Sequence, residues 1–131
     1  MSYLLSEDSL DLVNMIKNFA EKEVKPHVAE LDEKGEFPHE LYAQAMEMGL
    51  HCLEIPEEFG GGGIDHMTTA AIMEELGKVD AGFATTLSAI SLSLKPVLIA
   101  GNDAQKKLSV DIVIPGKFGA LALTEPNAGS D

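Results

Sequence analysis

The sequence predicts an all-α, multi-helix domain on three observations. Apolar residues recur every three or four positions through most of the chain, the period of one helix face. Hydrophobic residues make up 45% of the 131 residues but aromatic ones only 5%, with no Trp, so the core has to be built from Leu, Ile, Val, Ala and Met, as helical domains build theirs. Helix-capping and helix-stopping residues fall where helices of ordinary length would begin and end. The length fits one domain that buries roughly two-thirds of its unfolded surface.

The elements follow in order. Ser6 is a good N-cap, and Glu7 and Asp8 in the next turn favour the positive end of the helix dipole. Leu10, Val13, Ile16, Ala20 and Val24 then form one apolar stripe, with Lys17, Glu21 and Lys25 on the wet side. Pro26 is expected to break or bend this helix, and Val28 and Leu31 to carry a short second one into the turn Lys34-Gly35-Glu36. Pro38 suits a first helical position; Leu41, Ala45 and Met48 keep the helical period, and Gly49 suits the residue just past a helix end. Pro56 and four consecutive glycines exclude a stable helix from 51–63, which reads as a loop with particular backbone needs.

Asp65 caps a helix expected over Thr68 to Leu76 and ending near Gly77. Ala81 to Leu94 carries Ala, Gly, Ser or Thr at nearly every other position and reads as a buried central helix that Pro96 ends or kinks. Gly101, Asn102 and Asp103 provide a stop and a fresh cap for a helix around Gln105, Lys106 and Lys107. After Pro115 and Gly116 the composition shifts, and 118–123 reads as a strand.

Nine Lys and Arg against 22 Asp and Glu give a formal charge of −13, which repels nucleic acid and anionic membrane surfaces. Cys52 is the only cysteine, so no intrachain disulfide forms and a stapled secreted scaffold is excluded. The first eight residues lack the pattern of a targeting segment, which makes the cytoplasm the expected location. The window 81–94 is too short and too polar to span a bilayer.

No metal site is expected, because His51 and Cys52 are neighbours in sequence and have no second Cys/His cluster to join; Cys52 reads as structural and His51 as solvated. His27, His39 and His66 read as surface residues without carboxylate partners. Gly60 to Gly63 has neither a following Gly-Lys-Ser/Thr nor a Gly-x-Gly-x-x-Gly spacing, so it is no phosphate loop. Asp32-Glu33-Lys34-Gly35 puts Lys34 where a calcium loop needs an oxygen ligand.

The segment richest in chemistry is Leu121-Ala122-Leu123-Thr124-Glu125-Pro126-Asn127-Ala128-Gly129-Ser130-Asp131, an apolar run feeding a turn of backbone and hydroxyl donors. Such a loop can hold a phosphate or a polar ring edge without Lys or Arg, though its composition is also that of an ordinary surface turn. It resembles the flavin-binding signature of the acyl-CoA dehydrogenase family. Three further stretches are similar to that family in the same order: Ile55-Pro56-Glu57-Glu58-Phe59-Gly60-Gly61-Gly62-Gly63, Glu74-Glu75-Leu76-Gly77, and Pro96 to Lys107.

The resemblance implies that residues 1–117 are the N-terminal helical domain and 118–131 the truncated start of a middle β-domain, whose first strand closes the chain. It implies oxidation of an acyl-CoA thioester between Cα and Cβ, in which a Glu removes the α-proton and FAD takes the β-hydride, with near-attack geometry held by the protein. By that resemblance Leu121, Leu123 and Thr124 touch the flavin ring, Ser130 meets phosphate oxygens, and Thr85, Ser88 and Leu92, on one helix face, line the acyl-chain pocket. The catalytic Glu of most members lies in a C-terminal bundle, so no catalytic residue is assigned and the chain is expected to be inactive alone.

Further implied are an electron-transfer flavoprotein as partner and assembly as a homo-oligomer or with a complementing chain. Asp80-Ala81-Gly82 is reminiscent of short-chain, butyryl-type members. Ser109-Val110 and Ile112 depart from the family's aromatic-Leu pair and Pro, and Gly116-Lys117-Phe118-Gly119 is one residue short of its Gly-x-x-x-Gly turn. The alternative of a different class is an acidic helical interaction module that binds no flavin.

Overall fold

The computed structural model describes residues 5–129. Six α-helices run in order: α1 Glu7–Phe19, α2 Lys25–Lys34, α3 His39–Glu47, α4 His66–Val79, α5 Ala81–Ala100 and α6 Asp103–Val113. α1 packs on α4, α4 on α5, and α5 on α6. The caps behave as their side chains dictate. Ser6 Oγ accepts from the Ser9 N–H, Asp65 from the N–H groups of Met67 and Thr68, and Asn102 forms a reciprocal capping box with Gln105. Gly49, past the end of α3, takes a φ of 77°, a left-handed conformation that glycine adopts without penalty.

Two apolar clusters meet along α5. One gathers Ile16, Phe19, Leu41, Tyr42, Leu50, Ile72, Leu76, Phe83 and Leu87 from α1, α3 and the turn after it, α4 and α5. The other, formed by Cys52, Ile55, Ile90, Leu94 and Val113, ties the 51–63 loop to α5 and α6. Within that loop Gly61 passes so close to Ile55 that an added Cβ would sit 2.5 Å from the Ile55 Cβ and 2.6 Å from its carbonyl carbon. The glycine run therefore answers a steric requirement, and one 3₁₀ turn, Glu57–Phe59, is its only helical piece.

Several expectations are corrected by packing. Pro26 does not break the first helical stretch. A π turn, Ala20–Val24, lets the Lys25 N–H reach the Ala20 carbonyl five residues back, and Pro26 falls at the start of α2, where a missing N–H is tolerated. Pro38 is the cap before α3 rather than its first residue. α4 continues past Gly77 to Val79 because Leu76 and Val79 still pack on the core.

Pro96 lies inside α5 without ending it, for Leu94 and Leu98 on either side are held in the second cluster. α5 runs six residues beyond the 81–94 window, and at 20 residues, with a mean hydropathy of 1.5 over its most apolar window, it is long and apolar enough to cross a membrane by length and composition alone. Only 28% of that window is buried, so the helix expected to be buried and central is two-faced, with one side exposed.

No strand is found among the described residues. The segment 117–124 has no regular structure and, among the described residues, no ladder partner, and a strand exists only through such pairing. The single bridge, Glu125 to Ala128, closes a turn in which the Ala128 N–H reaches the Glu125 carbonyl at 3.3 Å. Pro126 occupies its second position, and no described non-glycine residue has a positive φ, so Asn127 does not make it a type II turn.

Candidate functional site

α5 presents two unlike faces. Phe83, Ala84, Leu87, Ile90, Ser91 and Leu94 are buried, whereas Thr85, Ser88 and Leu92 are all exposed, Leu92 at 44%. The i, i+3, i+7 spacing thus puts the three predicted pocket residues in one outward row. Thr85 and Ser88 line a shallow cleft of about 310 Å³ together with Ala81 and Ala84 of α5 and Met73 and Gly77 of α4. The cleft floor is small and apolar, its α5 rim bears two hydroxyls, and no ionisable side chain enters it.

The other predicted set leaves the domain beside this row. An added Cβ on Gly119 would lie 3.0 Å from the Ser93 Cβ and 3.5 Å from the Ile90 carbonyl oxygen, so the main chain runs against α5 next to Leu92. Phe118 anchors the same point through edge contacts with Phe37 (5.5 Å) and Tyr42 (5.6 Å). From there Leu121, Leu123 and Thr124 are exposed, Leu123 at 78%. No hydrogen bond links them to Thr85 or Ser88 among the described residues. Gly119, ahead of the second set, thus meets the Ile90–Ser93 turn of α5, which carries Leu92 of the first; Ser130 lies outside the described residues.

Several side chains were read differently from the sequence. His51 is not solvated but 2% exposed. Its Nε2 lies 3.0 Å from the Ile114 carbonyl, which can only accept, so this nitrogen carries the proton, while Nδ1 is buried without a partner. The bond pins the end of α6, from which the chain turns towards Gly119. His66 is exposed but does have a carboxylate partner: its Nδ1 is 2.6 Å from Glu54 Oε1, and Lys95 of α5 donates to Glu54 Oε2.

Burial works to raise the Glu54 carboxyl, yet hydrogen bonds from Lys95 and His66 prevail and hold it below the ordinary carboxylate range. Glu54 is therefore an ionised tie between the loop, α4 and α5, a poor proton acceptor. Burial pushes the Cys52 thiol up, and its Sγ lies 3.4 Å from the Gly49 carbonyl, so it is an inert core residue. None of the three pairings His66–Glu54, Lys95–Glu54 and His51–Ile114 has a local signal in the sequence, since the partners are 12, 41 and 63 positions apart.

Comparison with known proteins agrees with this architecture. The family profile described as "Acyl-CoA dehydrogenase, N-terminal domain" matches residues 6–116. The short-chain-specific acyl-CoA dehydrogenase of Megasphaera elsdenii is 39% identical over 136 residues, covering 100% of this chain and 36% of its own length. A structure concerned with the electron transferring flavoprotein of Acidaminococcus fermentans superposes with a TM-score of 0.86 at 36% identity, over 96% of this chain and 34% of the other. An acyl-CoA dehydrogenase complexed with FAD from Bacillus anthracis gives 0.83 at 35% identity, over 97% and 22%. The chain thus spans about a third of the length of relatives it matches, 35% for the protein named "Probable acyl-CoA dehydrogenase YngJ" of Bacillus subtilis.

Proposed function

The chain belongs to the acyl-CoA dehydrogenase family, as an N-terminal helical domain, and from that premise we propose that it is one wall of a site where an acyl-CoA thioester is oxidised between Cα and Cβ against FAD. One observation carries the reading. The most apolar helix of the domain leaves a row of Thr85, Ser88 and Leu92 uncovered, and an irregular segment with unused main-chain groups departs beside it. Over 119–124 no N–H has a partner among the described residues, and Thr124 adds a hydroxyl. Such a donor edge fits the polar rim of an isoalloxazine without a cationic side chain.

Leu121 and Leu123 would hold that rim through their main chain, Thr124 through its hydroxyl, and Ser130 would meet phosphate oxygens. When bound, FAD supplies the acceptor for the β-hydride. Thr85, Ser88 and Leu92 orient the acyl chain, and the small floor of the cleft suits a short one, the class for which the Megasphaera relative is named specific. None of these side chains is a base, so the carboxylate that takes the α-proton comes from polypeptide other than these 131 residues, and the chain alone does not turn over thioesters. An electron-transfer flavoprotein as acceptor, assembly with further subunits, a cytoplasmic setting, and 118–131 as the entry to a β-domain complete the proposal.

The second reading, an acidic helical module completed by another chain and binding no flavin itself, is favoured by the apolar side chains left open on α5 and α6: Ile99 at 82% exposed, Leu108 at 63% and Ile112 at 45%. Two-dimensional amide NMR of the chain titrated with FAD and, separately, with butyryl-CoA tests the choice. Shifts from FAD confined to 121–124 and from butyryl-CoA to Thr85, Ser88 and Leu92 support the first reading. Shifts elsewhere, or none with either ligand, remove it. Reduction of a dye acceptor by the chain with FAD and butyryl-CoA would refute the external base.

A further inference from the structure

On the other flank of α5, where the buried Phe83 and the partly exposed Thr86 rather than Thr85 and Ser88 line the surface, two cavities adjoin. The first, about 320 Å³, lies between α2, the turn before α3, α3 and the first turn of α5. The second, about 460 Å³, lies across that turn against α2 and α3. They share Leu31, Glu36, Phe37, Pro38 and Leu41, and so make one groove divided by a ridge. Its aromatic wall is a stack: Tyr42 sits 4.7 Å from Phe37 and 4.5 Å from Phe83, with interplanar angles of 14° and 18°. Phe37, on the ridge, is 46% exposed.

The electrostatics of the groove are one-sided. Asp32, Glu36 and Asp80 border the first cavity, and Glu23, Glu30, Glu36 and Glu40 the second. Among the described residues only Glu30 has an ion-pair partner, Lys34. No lysine lines either cavity, and the chain contains no arginine. Other acidic clefts are neutralised internally, one by Lys106 and Lys107 and another by Lys95 and Lys106. His27 and His39 also line the second cavity, and Asp80 accepts from the Phe83 N–H as the cap of α5, but Asp32, Glu23, Glu36 and Glu40 have no ion-pair partner among the described residues. An apolar floor beneath them calls for an occupant with the opposite charge and an apolar anchor.

We propose that this groove docks a basic segment of a partner protein, one apolar side chain entering the α2–α3–α5 cavity while flanking Lys or Arg side chains reach Glu36, Glu40 and Asp32. A second copy of this chain is a poor occupant, since two surfaces of charge −13 repel. A single small amine would answer one or two carboxylates and leave the others unpaired. The proposal does not rest on the thioester reading: the groove shares no residue with the Thr85 row or with 121–124, and it meets that segment only through the contacts of Phe37 and Tyr42 with Phe118.

The test is a two-dimensional amide NMR titration of the 131-residue chain with the peptide acetyl-KLKLK-amide, with acetyl-ELELE-amide and phenethylammonium as controls. Saturable shifts at Leu31, Phe37, Leu41 and Gly82 with the basic peptide, weakening as salt is raised, are expected. Glu36→Gln with Glu40→Gln, and separately Phe37→Ala, should each weaken binding about tenfold while leaving the circular dichroism unchanged. The proposal is overturned if the basic peptide gives no saturable shifts below about 1 mM. It is equally overturned if the acidic peptide gives the same shifts, if the variants bind as well as the parent, or if phenethylammonium matches the peptide in site and affinity.

Discussion

Replacing Gly77 by Ala should make the domain more stable and its cleft less accommodating. Gly77 lies in the last turn of α4, and apart from the helix backbone no atom stands within 4 Å of the place a Cβ would take. Glycine loses more backbone freedom on folding than alanine, a difference of about 0.5–1 kcal/mol at such a position. For a domain of this size that is a rise in Tm of roughly 2–4 °C. Calorimetry and urea unfolding measure it, and a lower Tm would refute the open space assigned around Gly77. The new methyl projects into the cleft shared with Thr85 and Ser88. If acyl chains lie there, hexanoyl-CoA should lose about tenfold more affinity than butyryl-CoA. Equal losses, or none, would separate the cleft from the acyl chain while leaving the stability result standing.

Three further outcomes follow from the loop and its ties. Gly61→Ala should destabilise by about 2–4 kcal/mol, because the clash is with the backbone of Ile55 and cannot be relieved by a rotamer change; a Tm within a degree or so of the parent would contradict it. Glu54→Gln should flatten the acid limb of stability. The folded carboxyl is held below its ordinary 4.5, so its contribution is complete above that value and is lost as pH falls through the lower folded value. Tm profiles of parent and variant that keep the same separation from pH 7 to the acid limb would count against this. Cys52 should resist iodoacetamide at neutral pH in the native domain and react freely in urea, since burial both covers the thiol and raises its pKa; comparable rates in the two states would place it at the surface.

What could be read from the sequence and what could not divides by range. Ser6, Asp65 and Asn102 act on amides two or three residues away, and Gly49 acts on its own φ, so each was legible without knowledge of the fold. Gly77 and Pro96 carry local signals against helix that were outweighed, by Leu76 and Val79 in the core and by Leu94 and Leu98 in the second cluster, whereas Pro26 follows a π turn and falls at the start of α2, where its missing N–H is tolerated. The pairs His66–Glu54, Lys95–Glu54 and His51–Ile114 had no signal, because only the fold brings such distant positions together. For the candidate site, spacing gave the common face of Thr85, Ser88 and Leu92, but its exposure depends on which side of α5 the core claims. The expected strand failed for the same reason, since its definition lies in a neighbour and not in its own residues.

The outward face of α5 is the strongest argument that this domain is shaped to be covered. An exposed helix face is ordinarily kept soluble by charge, and α2 follows the rule with Lys25, Glu30 and Lys34, as α6 does with Lys107 and Asp111. α5 has one charged residue in 20, Lys95, and it is engaged with Glu54. Its outward row is built instead of two hydroxyls and a leucine, side chains small enough to admit a ligand against the helix and apolar enough to gain from being covered. A helix serving only as a strut would have no reason to keep charge off that side. Placing Lys at Ser88 therefore discriminates between the two roles: in a strut Ser88→Lys is neutral or slightly favourable to stability and solubility, whereas in a ligand wall it leaves Tm unchanged within a few degrees and abolishes the butyryl-CoA shifts at Thr85 and Leu92.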